Sequence, residues 1–232
     1  MKSKHKIALF SVMCILSLLA FVGDYPVKSP TFSFGEEREK SAIKVPCACP
    51  FTVGFNENPY TIDPLDCWDK YSMNVIIQCA EPLVGYNISD PDFAIIPVLA
   101  ESWRWNGADE VSFKLREGVK FHDGTSFDAD AVIWNLNRLT WFCNYSGTLP
   151  ENATSWLSFP HSLYFFPDGV TPIIDTFFKN TPYNVTIRLT DAYAPFLNLL
   201  AFIAGHILSP SSTPRYRYLQ MTEVVVGTGR NC

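Results

Sequence analysis

Glu81-Pro82-Leu83-Val84-Gly85-Tyr86, then Pro97-Val98-Leu99-Ala100-Glu101-Ser102-Trp103, then Phe113-Lys114-Leu115-Arg116-Glu117-Gly118-Val119-Lys120-Phe121-His122-Asp123-Gly124-Thr125, then Asp128-Ala129-Asp130-Ala131-Val132 decide how this chain folds. Trp103 and Trp105 share one face of a strand, and Val111, Phe113 and Leu115 share another; Asn106-Gly107 between them signals a hairpin. Asp123-Gly124 makes a second tight turn. Asp128 then caps a helix whose buried stripe is Ala129, Val132, Ile133 and Leu136, with Arg138 near its end placed to suit the helix dipole.

Upstream, Phe51, Val53 and Phe55 alternate with Thr52 and Gly54 as in a strand that Asn56, Asn58 and Pro59 break. Ser72 is placed to cap a helix running to about Glu81, with Ile76, Cys79, Ala80 and Leu83 as its buried stripe and Pro82 as its stop. Downstream, residues 140–183 carry many aromatics and scattered prolines but no period. Val185, Ile187 and Leu189 alternate as a strand. Pro195 opens a helix expected to run from Phe196 through Ala204 and end at Gly205; with Phe196, Leu199 and Phe202 filling its second side, it is apolar all round and hence buried.

The N-terminus is a targeting segment. Lys2, Lys4 and Lys6 precede an apolar run from Ile7 to Gly23, so residues 1–23 read as an export signal or an N-terminal anchor, with cleavage and retention both open. Residues 24–49 read as a linker, containing Ser29-Pro30 and the charged run Glu36-Glu37-Arg38-Glu39-Lys40. The folded domain is expected over residues 50–232. The 232 residues are 47% hydrophobic and 18% charged, a globular composition, and a net charge of −5 offers no footprint for nucleic acid. Seven cysteines fit an oxidising compartment. With Cys14 inside the apolar run, Cys47, Cys49, Cys67, Cys79, Cys143 and Cys232 are open to disulfide pairing that sequence does not resolve. Sequons at Asn87, Asn144, Asn152 and Asn184 fit a glycosylated surface.

The ordered motifs resemble the extracytoplasmic solute-binding proteins of ABC importers, family 5, the oligopeptide, dipeptide and nickel-binding type. Ile62-Asp63-Pro64 is similar to that family's Leu-Asp-Pro after the first strand. Thr186–Leu189, Ala194-Pro195-Phe196-Leu197 and Val226-Gly227-Thr228-Gly229 resemble its later elements, so the likeness runs from about Phe51 to Gly229. The resemblance implies an α/β fold: lobe I of a periplasmic-binding-protein-like (type II, cluster C) domain, a mixed sheet with flanking helices. Members have two lobes that close on solute about a hinge, and the chain looks truncated or frameshifted before the second lobe.

The resemblance also implies function. The chain would bind a solute, first of all a peptide, and deliver it to an ABC permease in the membrane, with no covalent chemistry and no cofactor. First-lobe contacts to solute follow the Asp-Pro motif, where Cys67, Trp68, Asp69 and Lys70 stand. Trp68 is suited to stack on a ligand and Asp69 to meet an amine, though Trp68 packing on the next helix is an equal reading; Lys70 belongs to the same loop and Tyr145 is a further wall residue. A surface sensor lobe, a non-functional fragment and a secreted hydrolase are the alternatives. His122-Asp123-Gly124 reads as turn chemistry rather than a catalytic or metal site, and Cys47-Ala48-Cys49 lacks the second pair a closed zinc site needs.

Overall fold

The computed structural model describes residues 54, 56–146 and 159–229. The chain divides into two units, Met1–Gly54 and Phe55–Cys232, and the second holds all the structure that follows. The expected export segment and linker, the strand expected from Phe51, Val53 and Phe55, the Asn152 sequon, and Cys14, Cys47, Cys49 and Cys232 lie outside the described residues, Gly54 apart.

Helix α1 spans Lys70–Cys79. Its cap is Asp69, not Ser72: the Asp69 side chain accepts from the Tyr71 and Ser72 amides at 3.0 and 2.9 Å. Ser72 is instead buried inside the helix, where its Oγ accepts the Tyr60 and Thr61 amides at 2.9 and 3.0 Å. Either polar side chain fits a cap by composition; the backbone uses the one three residues earlier. Ile76 and Cys79 face inward as expected, but the helix ends at Cys79, ahead of Pro82. Ala80 turns extended, and Glu81–Pro82 form a short strand, β1.

Strands β2 (Val84–Tyr86) and β3 (Ile95–Pro97) make an antiparallel pair, and β4 (Ala100–Trp105) and β5 (Glu110–Leu115) make the expected hairpin. The register sets Trp103 opposite Phe113 and Trp105 opposite Val111. Directly opposed residues share a sheet face, so the tryptophans and the β5 apolar residues line one face rather than two. That face shares one buried cluster with helix α2, Ala129–Phe142. Asp128 caps α2 as expected, accepting the Ala131 amide at 3.1 Å. Phe113, Phe127, Val132 and Phe142 are at most 1% exposed, and each such side chain stabilises the fold by roughly 1.5–3 kcal/mol.

The region without a readable period contains helix α3, Phe159–Tyr164, and strand β6, Ile174–Thr181. β6 pairs with β7, Asn184–Leu189, which also pairs with β5, completing a sheet of order β4-β5-β7-β6. Only Ile174 of β6 is buried, which is why an alternating pattern is missing from this edge strand. Helix α4 covers Phe196–Ala201 alone; Phe202 is extended, and Ile203–Gly205 form a separate 3-10 turn before β8, His206–Ile207. The expected single helix to Ala204 is therefore broken at Phe202, which lets β8 turn back and pair with β1. Every ladder among the described residues is antiparallel.

Arg138 does not serve the helix dipole. It is 1% exposed and forms an ion pair with Asp63, which is fully buried. Arg138 also donates to the carbonyls of Pro214 and Arg217, both at 3.0 Å, while Asp63 accepts the amides of Leu65 at 3.0 Å and Leu219 at 2.8 Å. One buried pair thus joins the Ile62-Asp63-Pro64 segment, α2 and the 214–219 segment. Val226-Gly227-Thr228-Gly229 lies against the end of α1, with the Gly229 amide donating to the Cys79 carbonyl at 3.0 Å. His122 ties down the same segment: its Nε2 lies 2.7 Å from the Gly229 carbonyl and its Nδ1 accepts the Gly227 amide at 3.3 Å. Asp123-Gly124 is a turn as expected, with Gly124 at φ 83°.

Candidate functional site

The residues after Asp63-Pro64 loop over buried Cys67 into the first turn of α1. Trp68 stands on the outside of that loop, 64% exposed. Its aromatic neighbour is Tyr60, itself 62% exposed, with ring centroids 6.1 Å apart. Tyr60 is held there by the bond from its amide to Ser72 inside α1. Sequence reasoning passed over Tyr60, because nothing in Asn58-Pro59-Tyr60 distinguishes a surface aromatic from a turn residue.

Asp69 shares the loop. Burial pushes its carboxyl upward, but the bonds from Ser72 and Tyr71 outweigh that and hold it below the usual carboxylate range. Its Oδ1 carries both capping bonds, while Oδ2 is buried and makes no hydrogen bond. Buried acceptors are normally satisfied, and this oxygen is closed off from solvent beneath the loop. Lys70 is exposed, its Nζ 4.8 Å from the Tyr71 ring centre. Tyr60, Trp68 and Lys70 are therefore exposed around a half-buried Asp69.

Tyr145 lies apart from it. Its hydroxyl donates to the Tyr164 carbonyl at 2.8 Å and accepts the Ile174 amide at 3.4 Å, bridging α3 and β6. Burial holds that phenol well above its ordinary range. An interior cavity of about 20 Å³ lies between α2 and the α4 region, lined by Leu65, Leu83, Val132, Leu136, Tyr164 and Leu200. That volume takes about one water, not a solute.

Cysteine chemistry is partitioned. Cys79 is disulfide-bonded. Cys67 and Cys143 are free and buried. Burial, together with the charge of Asp69, pushes the Cys67 thiol up to about 12, and burial pushes Cys143 higher still. Neither is a nucleophile at neutral pH, since the thiolate is the reactive form. Among the described residues no helix is long and apolar enough to cross a membrane.

A sheet with flanking helices is the architecture of a lobe in the type II periplasmic-binding-protein class. The family model for bacterial extracellular solute-binding proteins, family 5, matches residues 94–229, and this chain belongs to that family. Among its relatives is the glutathione-binding protein GsiB of Escherichia coli (strain K12), 31% identical over 166 residues, 71% of this chain and 28% of GsiB. NikA from Brucella suis, solved in complex with Fe(III)-EDTA, is 26% identical with a TM-score of 0.54, covering 74% of this chain and 30% of NikA. A dipeptide-binding protein from Pseudoalteromonas sp. SM9913, solved with Met-Leu, shares the fold at a TM-score of 0.58 and 22% identity, covering 75% of this chain and 34% of that one. The chain thus spans about 28% of the length of the curated relatives it matches.

Proposed function

We propose that this chain contributes a lobe to an extracytoplasmic protein that binds a peptide-like solute and delivers it to an ABC permease without altering it. The observation that carries this reading is the exposed Trp68–Tyr60 pair on the segment that also carries Asp69 and Lys70. An indole and a phenol give a face on which side chains of many shapes stack. The Asp69 carboxylate, held ionised by its capping bonds, attracts a peptide ammonium, and the Lys70 ammonium attracts the opposite terminus. Family membership supports the solute-binding role. The names of GsiB and of the Pseudoalteromonas protein point to glutathione and Met-Leu, both short peptides. Export through residues 1–23 belongs to the same reading.

Isothermal titration of the purified chain with di- to tetrapeptides, glutathione and a nickel chelate tests it. Saturable binding of a peptide is expected, weakened about tenfold or more, roughly 1.4 kcal/mol, by Trp68→Ala. A folded chain that binds none of these ligands, or that hydrolyses the peptide during titration, contradicts the proposal.

A further inference from the structure

Four sequons look alike in the sequence, but the three among the described residues sit in different settings. Asn184 begins β7, which is paired on both sides, by β5 and β6. Its Oδ1 accepts from Asn180 at 2.5 Å. The two residues that follow, Val185 and Thr186, are 0% and 3% exposed. The Thr186 hydroxyl lies 2.8 Å from that of Ser112 and accepts from Asn180 at 2.6 Å. Asn144 sits just past α2 at φ 54°, and the next residue, Tyr145, is anchored through its hydroxyl to Tyr164. The Asn184 segment does not present its sequon as an open loop.

Asn87-Ile88-Ser89 does. It opens the loop that joins β2 to β3, and Ile88, at its tip, is 85% exposed. The loop is closed behind it by the Asn87 amide donating to the Ala94 carbonyl at 2.9 Å. The Asn87 Oδ1 accepts the Ser89 amide at 3.1 Å, which turns the chain outward. The Asn87 Nδ2 makes no hydrogen bond, and neither does the exposed Ser89 hydroxyl. Both reacting partners, amide nitrogen and hydroxyl, are thus open to an enzyme here, unlike those of Asn184.

We propose that Asn87 is a glycan attachment site. The donor is a lipid-phosphate-linked oligosaccharide acted on by an oligosaccharyltransferase. A bond forms between Asn87 Nδ2 and the anomeric carbon of the first sugar. The bond from that carbon to the phosphate oxygen breaks, the phosphate leaves with the electron pair, and the amide nitrogen gives up one proton. The glycan stands over Ile88 and near Phe93, which is 42% exposed, and screens an apolar loop tip that is otherwise a site of association.

The test is expression of the full chain through the secretory pathway of a glycosylating host, with site occupancy read by amidase release in heavy-oxygen water and peptide mass spectrometry. Asn87 is expected to carry glycan in most molecules and Asn184 in almost none. Asn87→Gln and Ser89→Ala are each expected to remove one glycan's worth of gel mobility, while Asn184→Gln leaves it unchanged. An unmodified Asn87, or equal occupancy at Asn87 and Asn184, overturns the assignment. Because the site is mapped on the unaltered chain, the result does not depend on any variant folding.

Discussion

Asp63 and Arg138 leave water together, and the cost of doing so is offset only while both are present. Removing one partner leaves the other charged and uncompensated, a loss of about 3–5 kcal/mol. Arg138→Met is therefore expected to lower unfolding free energy by that amount in urea. The double variant Asp63→Asn, Arg138→Met should recover part of the loss, because no charge is then stranded. The thiols give a second check. Alkylation of the native chain at pH 8 should leave Cys67 and Cys143 unlabelled, and alkylation after unfolding without reductant should label both. Labelling of either in the native state would contradict their burial. At this scale the sequence was only partly readable. Asp128 was legible as a cap because a lone acidic residue precedes a clear apolar stripe. Arg138 was not, because a basic residue near a helix end has the same signature whether it faces solvent or a carboxylate 75 positions away.

Elements with a strong period were readable, and those shaped by tertiary contacts were not. The β4–β5 hairpin and α2 follow from alternating residues, Asn106-Gly107 and Asp128. α1 was displaced at both ends, since Asp69 and Ser72 compete for the cap and only the contact of Ser72 with residues 60 and 61 decides between them. The break at Phe202 is set by the β1–β8 pairing, a contact between distant segments that local pattern does not encode. Of the expected site, Trp68, Asp69 and Lys70 stand together, whereas Tyr145 is built into the packing. Two substitutions probe these elements. Asp128→Ala removes the α2 cap and should cost about 1 kcal/mol in chemical denaturation. Gly227→Ala would place a methyl 2.6 Å from the Ala80 Cα and against the Cys79 carbonyl. It should cost on the order of 1–3 kcal/mol and increase hydrogen exchange in residues 225–229.

At the scale of the whole molecule, two groups among the described residues give opposed pH dependences. Burial pushes the His206 imidazole down to about 4. Between pH 6.5 and 4 the unfolded chain binds a proton there that the folded chain does not, so this contribution is lost on acidification. Burial, followed by the charge of Asp63, pushes the Asp66 carboxyl up to about 6. The folded chain then holds a proton that the unfolded chain has released, and that contribution is lost as pH rises through about 6. His206→Gln should raise stability at pH 4.5 relative to pH 7, and Asp66→Asn should raise it at pH 7 relative to pH 4. Each effect should be on the order of 1–3 kcal/mol, at about 1.4 kcal/mol per unit, read from urea midpoints across the range.

On the proposed function, solute meets the face formed by Tyr60, Trp68, Asp69 and Lys70. Hydrogen–deuterium exchange of the purified chain with and without a saturating short peptide locates that face directly. Slower exchange confined to residues 60–72 is the predicted result. Unchanged exchange there, with peptide bound at another surface, would contradict the account.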